Sequence, residues 1–338
     1  MTVPPRGFLL IDKPRGISSY GVIDAVKRTL GPGRRRRGAG RFRCGHAGTL
    51  DPLATGLLLV LCGPETRLST FLLGHDKRYE FTVRLGATTE TLDTDGETMA
   101  TGRADYTTTD VEAVLDAFKG DILQIPPVYS ALKRDGKPLY ALAREGAELP
   151  DLAARPVRID DLAIAGDVRR TETPQVDTCD IDLIVTCSSG TYVRSLARDI
   201  AEALGTVGHV SALRRTRIGP FDVAGAIPPE AIKDGPALTA AMRPAAEAMI
   251  DRQALTVVGD EAAALRQGVQ PDATWLTRLC EPLVAGDLFR MLDEGGALVA
   301  VGRMEDPGED DDGEAVPRLA AVFPPPAGRT REDAIPCD

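Results

Sequence analysis

The stretch CGHAGTLDPLATGLLLVLCG, residues 44–63, sets a single carboxylate, Asp51, between a glycine-rich approach and a run of leucines. LLLVLCG reads as a short buried strand, apolar at every position and closed by glycine. Pro52 restricts the backbone at Asp51 and keeps it out of a helix. A charge locked beside so apolar a segment needs a partner or a task, because burying it alone is costly. A turn aspartate is the plain reading of Asp51; a catalytic carboxylate held ionised by a cation is the sharper one.

The neighbouring segments alternate strand and helix. FLLIDKPRG reads as a strand ending in a Pro-Gly turn. SSYGVIDAVKRTLG reads as a helix capped by Ser18 or Ser19, with Val22, Ile23, Val26 and Leu30 on its buried face. Beyond the leucine strand, ETRLSTFLLG predicts a short helix. KRYEFTVRLG alternates, placing Tyr79, Phe81, Val83 and Leu85 on one face. TETLDTDGE is a polar turn, and Thr109-x-x-Glu112 reads as a capping box that opens a helix through Val111, Val114, Leu115 and Phe118.

Residues 124–155 are Pro-rich, then basic and helical in pattern (KRDGKPLYALAREG), which predicts a projecting insertion. Strands near PVRIDDLAIAG and CDIDLIVTC precede a helix in SSGTYVRSLARDIAEALG, whose buried stripe is Val193, Leu196, Ala197, Ile200 and Leu204. HVSALRRTRIG is an Arg-rich strand, and PPEAIKDGPALTAAMRPAAEAM a Pro-broken helical link. From about Leu255 a small β-rich unit begins, with a hairpin turning at Gly295-Gly296 and an acidic loop, EDPGEDDDGE. Residues 326–338 read as a disordered tail.

Composition sets the bounds. A chain of 338 residues with 43% hydrophobic content builds a real core and leaves room for one large domain and a smaller one, or for two of similar size. No apolar run approaches the roughly 20 residues that span a bilayer, and the N-terminus makes a poor signal peptide, so a cytoplasmic location is expected. The net charge of −10 hides an asymmetry: residues 1–47 carry +9 and the remainder −19. The basic excess is concentrated in GPGRRRRGAGRFR, residues 31–43, either a solvated loop or a phosphate-contacting one. The six cysteines form no C-x-x-C pair; Cys44-x-His46 lacks a second half with zinc-like spacing, so scattered reduced thiols, and no metal, are expected. There is no P-loop, no G-x-G-x-x-G after a strand, no Ser-His-Asp order, and no acidic neighbour for Asp51 before Glu65.

These motifs together resemble the TruB family of pseudouridine synthases. GHAGTLDPLATGLL is similar to its signature nearly residue for residue. LLIDKPRGISS, KRYEFTVRLG, TETLDTDGE, IPPVYSALK, SSGTYVRSLARDI and HVSALRRTRIG resemble its other motifs in the right order, over roughly residues 6–250. The resemblance implies an α+β pseudouridine synthase fold with a largely antiparallel central sheet, residues 1–250. The unit at 251–325 looks like a PUA-type RNA-binding domain.

The activity implied is isomerisation of uridine to pseudouridine, at uridine 55 of the TψC arm of tRNA, without a cofactor, by a monomer needing no protein partner. Asp51 matches the catalytic aspartate and Arg194 the arginine that pairs with it and keeps it ionised. Tyr79 matches the tyrosine that stacks on the target base and serves as a proton acceptor. Tyr192 matches a second pocket tyrosine; His46 and Leu213 match positions lining the nucleotide pocket, and Lys13 its rim. The glycines around Asp51 are expected to admit the backbone close to RNA. The Arg-rich 31–43 segment is longer than the short turn typical of the family. Two rival readings stay open: a guide-dependent synthase of the ribonucleoprotein type, against which the intact insertion speaks, and a non-catalytic tRNA-folding chaperone.

Overall fold

LLLVLC is apolar at every position because both of its faces are covered. Leu58, Val60 and Cys62 enter one buried cluster, and Leu57, Leu59 and Leu61 enter another on the opposite face. Period-two alternation therefore persists in space although it is invisible in the residue types. The neighbouring FLLI divides the same way, Leu9 and Ile11 to the first cluster, Phe8 and Leu10 to the second.

The structure is a computed structural model that describes residues 5–30, 42–130, 133–134, 137–138, 152–172, 176–306 and 315–325. Its main sheet uses β1 (Gly7–Lys13), β2 (Cys44–Ala47), β3 (Thr55–Cys62), β4 (Lys77–Leu85), β5 (Gly120–Gln124), β6 (Arg155–Ile164), β7 (Thr178–Cys187) and β8 (Gly208–Ile218). The order across the sheet is β1-β3-β8-β4-β7-β6-β5, with β2 beside β3. Pairing is antiparallel except between β3 and β8, where Thr55 and Gly56 face Arg214 and Arg215 in parallel register. The fold is thus mixed α/β with a largely antiparallel central sheet, as expected.

Helices α1 (Ser19–Arg28), α2 (Thr108–Leu115) and α3 (Val193–Ala203) contribute buried residues to the cluster on the first face. Ser18 caps α1, its hydroxyl accepting from the Gly21 amide. The cap of α2 lies two residues before the expected one. Thr107 and Asp110 form a reciprocal capping box there, and Val111 and Leu115 are buried.

A second, four-stranded sheet (Ala254–Thr256, Leu288–Leu292, Leu298–Glu305, Val316–Val322) forms the C-terminal unit. Its Leu298, Val301 and Phe323 join Phe8, Leu57 and Leu61 in the second cluster. Arg67 Nη1 donates to Val322 O at 2.8 Å, and Arg6 Nη1 to the carbonyls of Pro324 and Pro325.

KRDGKP, expected to be helical, instead contributes a two-stranded hairpin, Lys133–Arg134 against Lys137–Pro138. Most of the Arg-rich segment, most of the insertion, most of the acidic loop and the tail lie outside the described residues. No helix among the described residues is long and apolar enough to cross a membrane.

Candidate active site

Asp51 sits on the turn between β2 and β3, and the N-terminal motif holds that turn. Ser19 Oγ donates to Leu50 O (2.9 Å) and accepts from Leu50 N (2.7 Å). The Gly16 amide donates to Pro52 O at 2.8 Å. Lys13, expected on the pocket rim, lies beneath the turn instead, with no exposed surface. Its ammonium donates to the carbonyls of Pro14 (3.0 Å), Ile17 (2.8 Å) and Pro52 (3.3 Å). Burial, offset in part by Asp51 and reinforced by Arg215, brings Lys13 down to about 8.

One glycine beside the turn is taken up by the packing of the sheet. Gly56 has φ +100°, and a Cβ there would lie 2.2 Å from Arg215 O, so its missing side chain admits the neighbouring strand. Arg215, for which the sequence suggested no individual role, is buried. Its guanidinium donates to Leu57 O (2.8 Å), Gly48 O (3.1 Å) and Thr49 O (3.4 Å), buttressing the Asp51 turn from behind.

Arg194, in the first turn of α3, is 5% exposed and meets Asp51 directly, Nε to Oδ2 at 2.9 Å. Its Nη1 donates to Thr91 O (2.8 Å) and lies 3.7 Å from Asp93 Oδ2; its Nη2 donates to Tyr129 O (2.9 Å). Asp93 is buried, and it too was not singled out from the sequence. TETLDTDGE was visible as a motif, but which of its acids turns inward depends on the turn. That turn contains Leu92 at φ +59°, a left-handed conformation that a leucine adopts only when its surroundings impose it. Here the Val210 amide holds Leu92 O at 3.1 Å.

The carboxyl of Asp51 is pushed above its ordinary value. Burial is the main cause and Asp93 adds to it, while Arg194 and Lys13 oppose it. The ion pair with Arg194 restrains that shift without cancelling it.

A cavity of about 300 Å³ opens beside Asp51 and brings together Tyr79, Tyr192, Arg194 and Leu213. Tyr79 projects from β4 and pairs in register with Arg215 on β8, while Leu213 lies opposite Phe81. Burial pushes the Tyr79 phenol upward, with nearby Arg215 opposing. Tyr192 is the residue before α3; its amide donates to Gln124 Oε1 at 2.8 Å, and burial raises its phenol too. Lys77, unforeseen, lines the same cavity and is held down to about 8 by burial and Arg215.

His46 borders an adjoining cavity of about 500 Å³, which shares Thr49, Leu50, Asp51, Ser130 and Arg194 with the first. Burial and Arg215 lower its pKa, and its Nδ1 has no hydrogen-bond partner among the described residues. Of the expected site residues, five therefore share one cavity, His46 lies next door, and Lys13 supports from below.

Residues 36–193 match the model of the TruB family pseudouridylate synthase N-terminal domain, and residues 194–276 that of the tRNA pseudouridylate synthase B C-terminal domain. A tRNA pseudouridine synthase B of Gluconacetobacter diazotrophicus is 43% identical, covering 78% of this chain and 82% of its own. The chain belongs to the TruB family of pseudouridine synthases. It is accordingly an isomerase. A second relative, the tRNA pseudouridine synthase B of Mycobacterium ulcerans, is 40% identical over 88% of this chain and 91% of its own.

Among solved structures, a Cbf5–Nop10–Gar1 complex matches with a TM-score of 0.67 at 24% identity, covering 95% of this chain and 86% of that one. That likeness speaks to the fold alone. The two TruB models meet between Val193 and Arg194, so the ion pair between Asp51 and Arg194 joins the parts they describe.

Proposed function

We propose that this TruB family member converts uridine 55 in the TψC arm of tRNA to pseudouridine, with Asp51 as the catalytic carboxylate. The observation that carries the reading is the Asp51–Arg194 pair at 2.9 Å on the wall of a cavity shared with Tyr79, Tyr192 and Leu213. The tRNA substrate is supported by the names of relatives 40–43% identical over most of their length.

The reaction breaks the C1′–N1 bond, turns the uracil and joins C1′ to C5; a proton leaves C5 and one is gained at N1. Nothing is oxidised or hydrolysed, so no cofactor takes part. The target base must leave its stack to expose its glycosidic edge. The Tyr79 ring holds the extruded base, a stacking contact worth about 1–3 kcal/mol. Asp51, aimed by Arg194, supplies the negative charge that reacts with or stabilises the sugar or base. Excluding water from the cavity strengthens the attraction between Asp51 and Arg194 and retains the detached uracil.

In this reading residues 1–250 form the catalytic domain and 251–325 an RNA-binding domain of PUA type. His46 contacts the nucleotide from the adjoining cavity. The enzyme acts in the cytoplasm as a monomer, recognising the folded loop by shape and without a guide RNA.

The test is tritium release from unmodified tRNA labelled at uracil C5, with pseudouridine then mapped along the product. The wild-type protein alone should release tritium and place pseudouridine at position 55, and a transcript with cytidine there should release none. Tight binding without release would replace catalysis with tRNA chaperoning. Release that depends on an added guide RNA would replace the stand-alone reading.

A further inference from the structure

Cys44 and Cys62 are cross-strand partners in the antiparallel pairing of β2 with β3, and their Sγ atoms lie 3.6 Å apart. The ladder fixes which kind of partners they are. The Gly63 amide donates to Arg43 O at 2.8 Å, so the hydrogen bond joins the residues flanking the pair. Cys44 and Cys62 therefore occupy a non-hydrogen-bonded position, where the two strands approach most closely, with Cα atoms about 4.5 Å apart. That spacing falls at the near edge of the range a disulfide spans, about 4.4–6.8 Å between Cα atoms. Each cysteine is followed by glycine, Gly45 and Gly63, so no side chain on the next residue resists the strands drawing together.

We propose that Cys44 and Cys62 form a peroxide-reactive dithiol that closes reversibly into a cross-strand disulfide, locking the hairpin that carries His46 and Asp51. Cys44 is partly exposed, whereas Cys62 is fully buried. Hydrogen bonding to Cys44 and burial push the Cys62 thiol well up, so Cys44 is the sulfur that meets the oxidant. The Cys44 thiolate takes one oxygen of hydrogen peroxide, giving a sulfenic acid and one water once protons are counted. Cys62 then attacks that sulfur and expels a second water. Two thiols lose two electrons in total, and peroxide accepts them.

Closure brings the sulfurs from 3.6 Å to about 2.05 Å, mostly by side-chain rotation. The bond encloses the whole Asp51 turn in a covalent loop, which restricts the unfolded chain more than the folded one. It also withdraws Cys44 from irreversible oxidation to sulfinic acid. None of this depends on which group catalyses isomerisation.

Peptide mapping of the full-length protein tests the proposal, since trypsin releases both cysteines in one peptide, residues 44–67. After stoichiometric hydrogen peroxide and iodoacetamide, that peptide should be two hydrogens lighter and unalkylated, and dithiothreitol should restore alkylation of both. The oxidised protein should melt several degrees above the reduced one, a difference absent in Cys44→Ser. Cys44 recovered as sulfinic acid beside an alkylated Cys62 would overturn the proposal. So would both cysteines alkylated after peroxide, or an oxidised form that melts no higher than the reduced.

Discussion

Arg194 stands between two carboxylates, its Nε 2.9 Å from Asp51 Oδ2 and its Nη1 3.7 Å from Asp93 Oδ2. A buried cation shared this way does two things. It aims the partly exposed Asp51 into the cavity, and it ties the Asp51 turn to the Thr91–Asp93 turn through the Thr91 carbonyl. The arrangement makes Asp51's charge sensitive to residues that do not touch it.

Asp51→Asn should abolish tritium release while tRNA retention on filters stays near wild type. Arg194 keeps its bonds to Thr91 O and Tyr129 O and its approach to Asp93, so it is not left an isolated buried cation. The native carboxyl lies above its ordinary value, so the folded state holds the proton more tightly than the unfolded chain. Stability from this group is present at low pH and falls as pH rises through the native value. Thermal unfolding of the Asn variant should therefore match wild type within about 1 kcal/mol at neutral pH.

Asp93→Asn should move the acidic limb of the pH–rate profile to lower pH. Asp93 is among the groups that raise Asp51, so neutralising it favours the ionised nucleophile. Arg194→Gln should move the limb the other way, because Arg194 favours ionisation. Single-turnover rates across pH at saturating tRNA check both, and a limb that stays in place in both variants would remove Asp51 as its source.

Tyr79→Phe should bind tRNA like wild type, since the ring and its packing are kept. Its single-turnover rate should fall about 10²–10⁴-fold, the usual worth of a positioned proton-transfer group. Unchanged tritium release would route the C5 proton elsewhere.

Lys13→Met should destabilise the protein by about 2 kcal/mol in urea unfolding, because the Pro14 and Ile17 carbonyls lose the ammonium and Pro52 O keeps only the Gly16 amide. The Pro52 carbonyl belongs to the Asp51 turn, so the rate at saturating tRNA should fall while binding changes little.

Replacing Arg34, Arg35, Arg36 and Arg37 with Ala should weaken tRNA binding and flatten its salt dependence by about one unit of slope for each phosphate no longer neutralised. The single-turnover rate at saturating tRNA should stay unchanged. An unaltered slope would make the basic run a solvated loop.

Local rules carried much of the fold. Alternation in KRYEFTVRLG, helical spacing in SSYGVIDAVKRTLG and SSGTYVRSLARDI, and the apolar run after Asp51 each specify an element from its own residues, because burial periodicity belongs to the segment. The cap of α2 falls at Thr107 rather than Thr109 because Thr107-x-x-Asp110 is a second, overlapping local signal whose acid closes the reciprocal box. The helical reading of KRDGKP gives way to strand pairing between Lys133–Arg134 and Lys137–Pro138.

From sequence alone come the family, the elements and the residue types of the site, because motif order and side-chain chemistry are local and additive along the chain. Tertiary structure alone decided the partners. Lys13 went beneath the turn, Gly56 made room for Arg215, and Asp93 joined Arg194, because β8 runs parallel to β3 and the Leu92 turn folds toward α3. Electrostatics and desolvation act through space, so the pKa of Asp51 depends on groups brought together only when the sheet assembles.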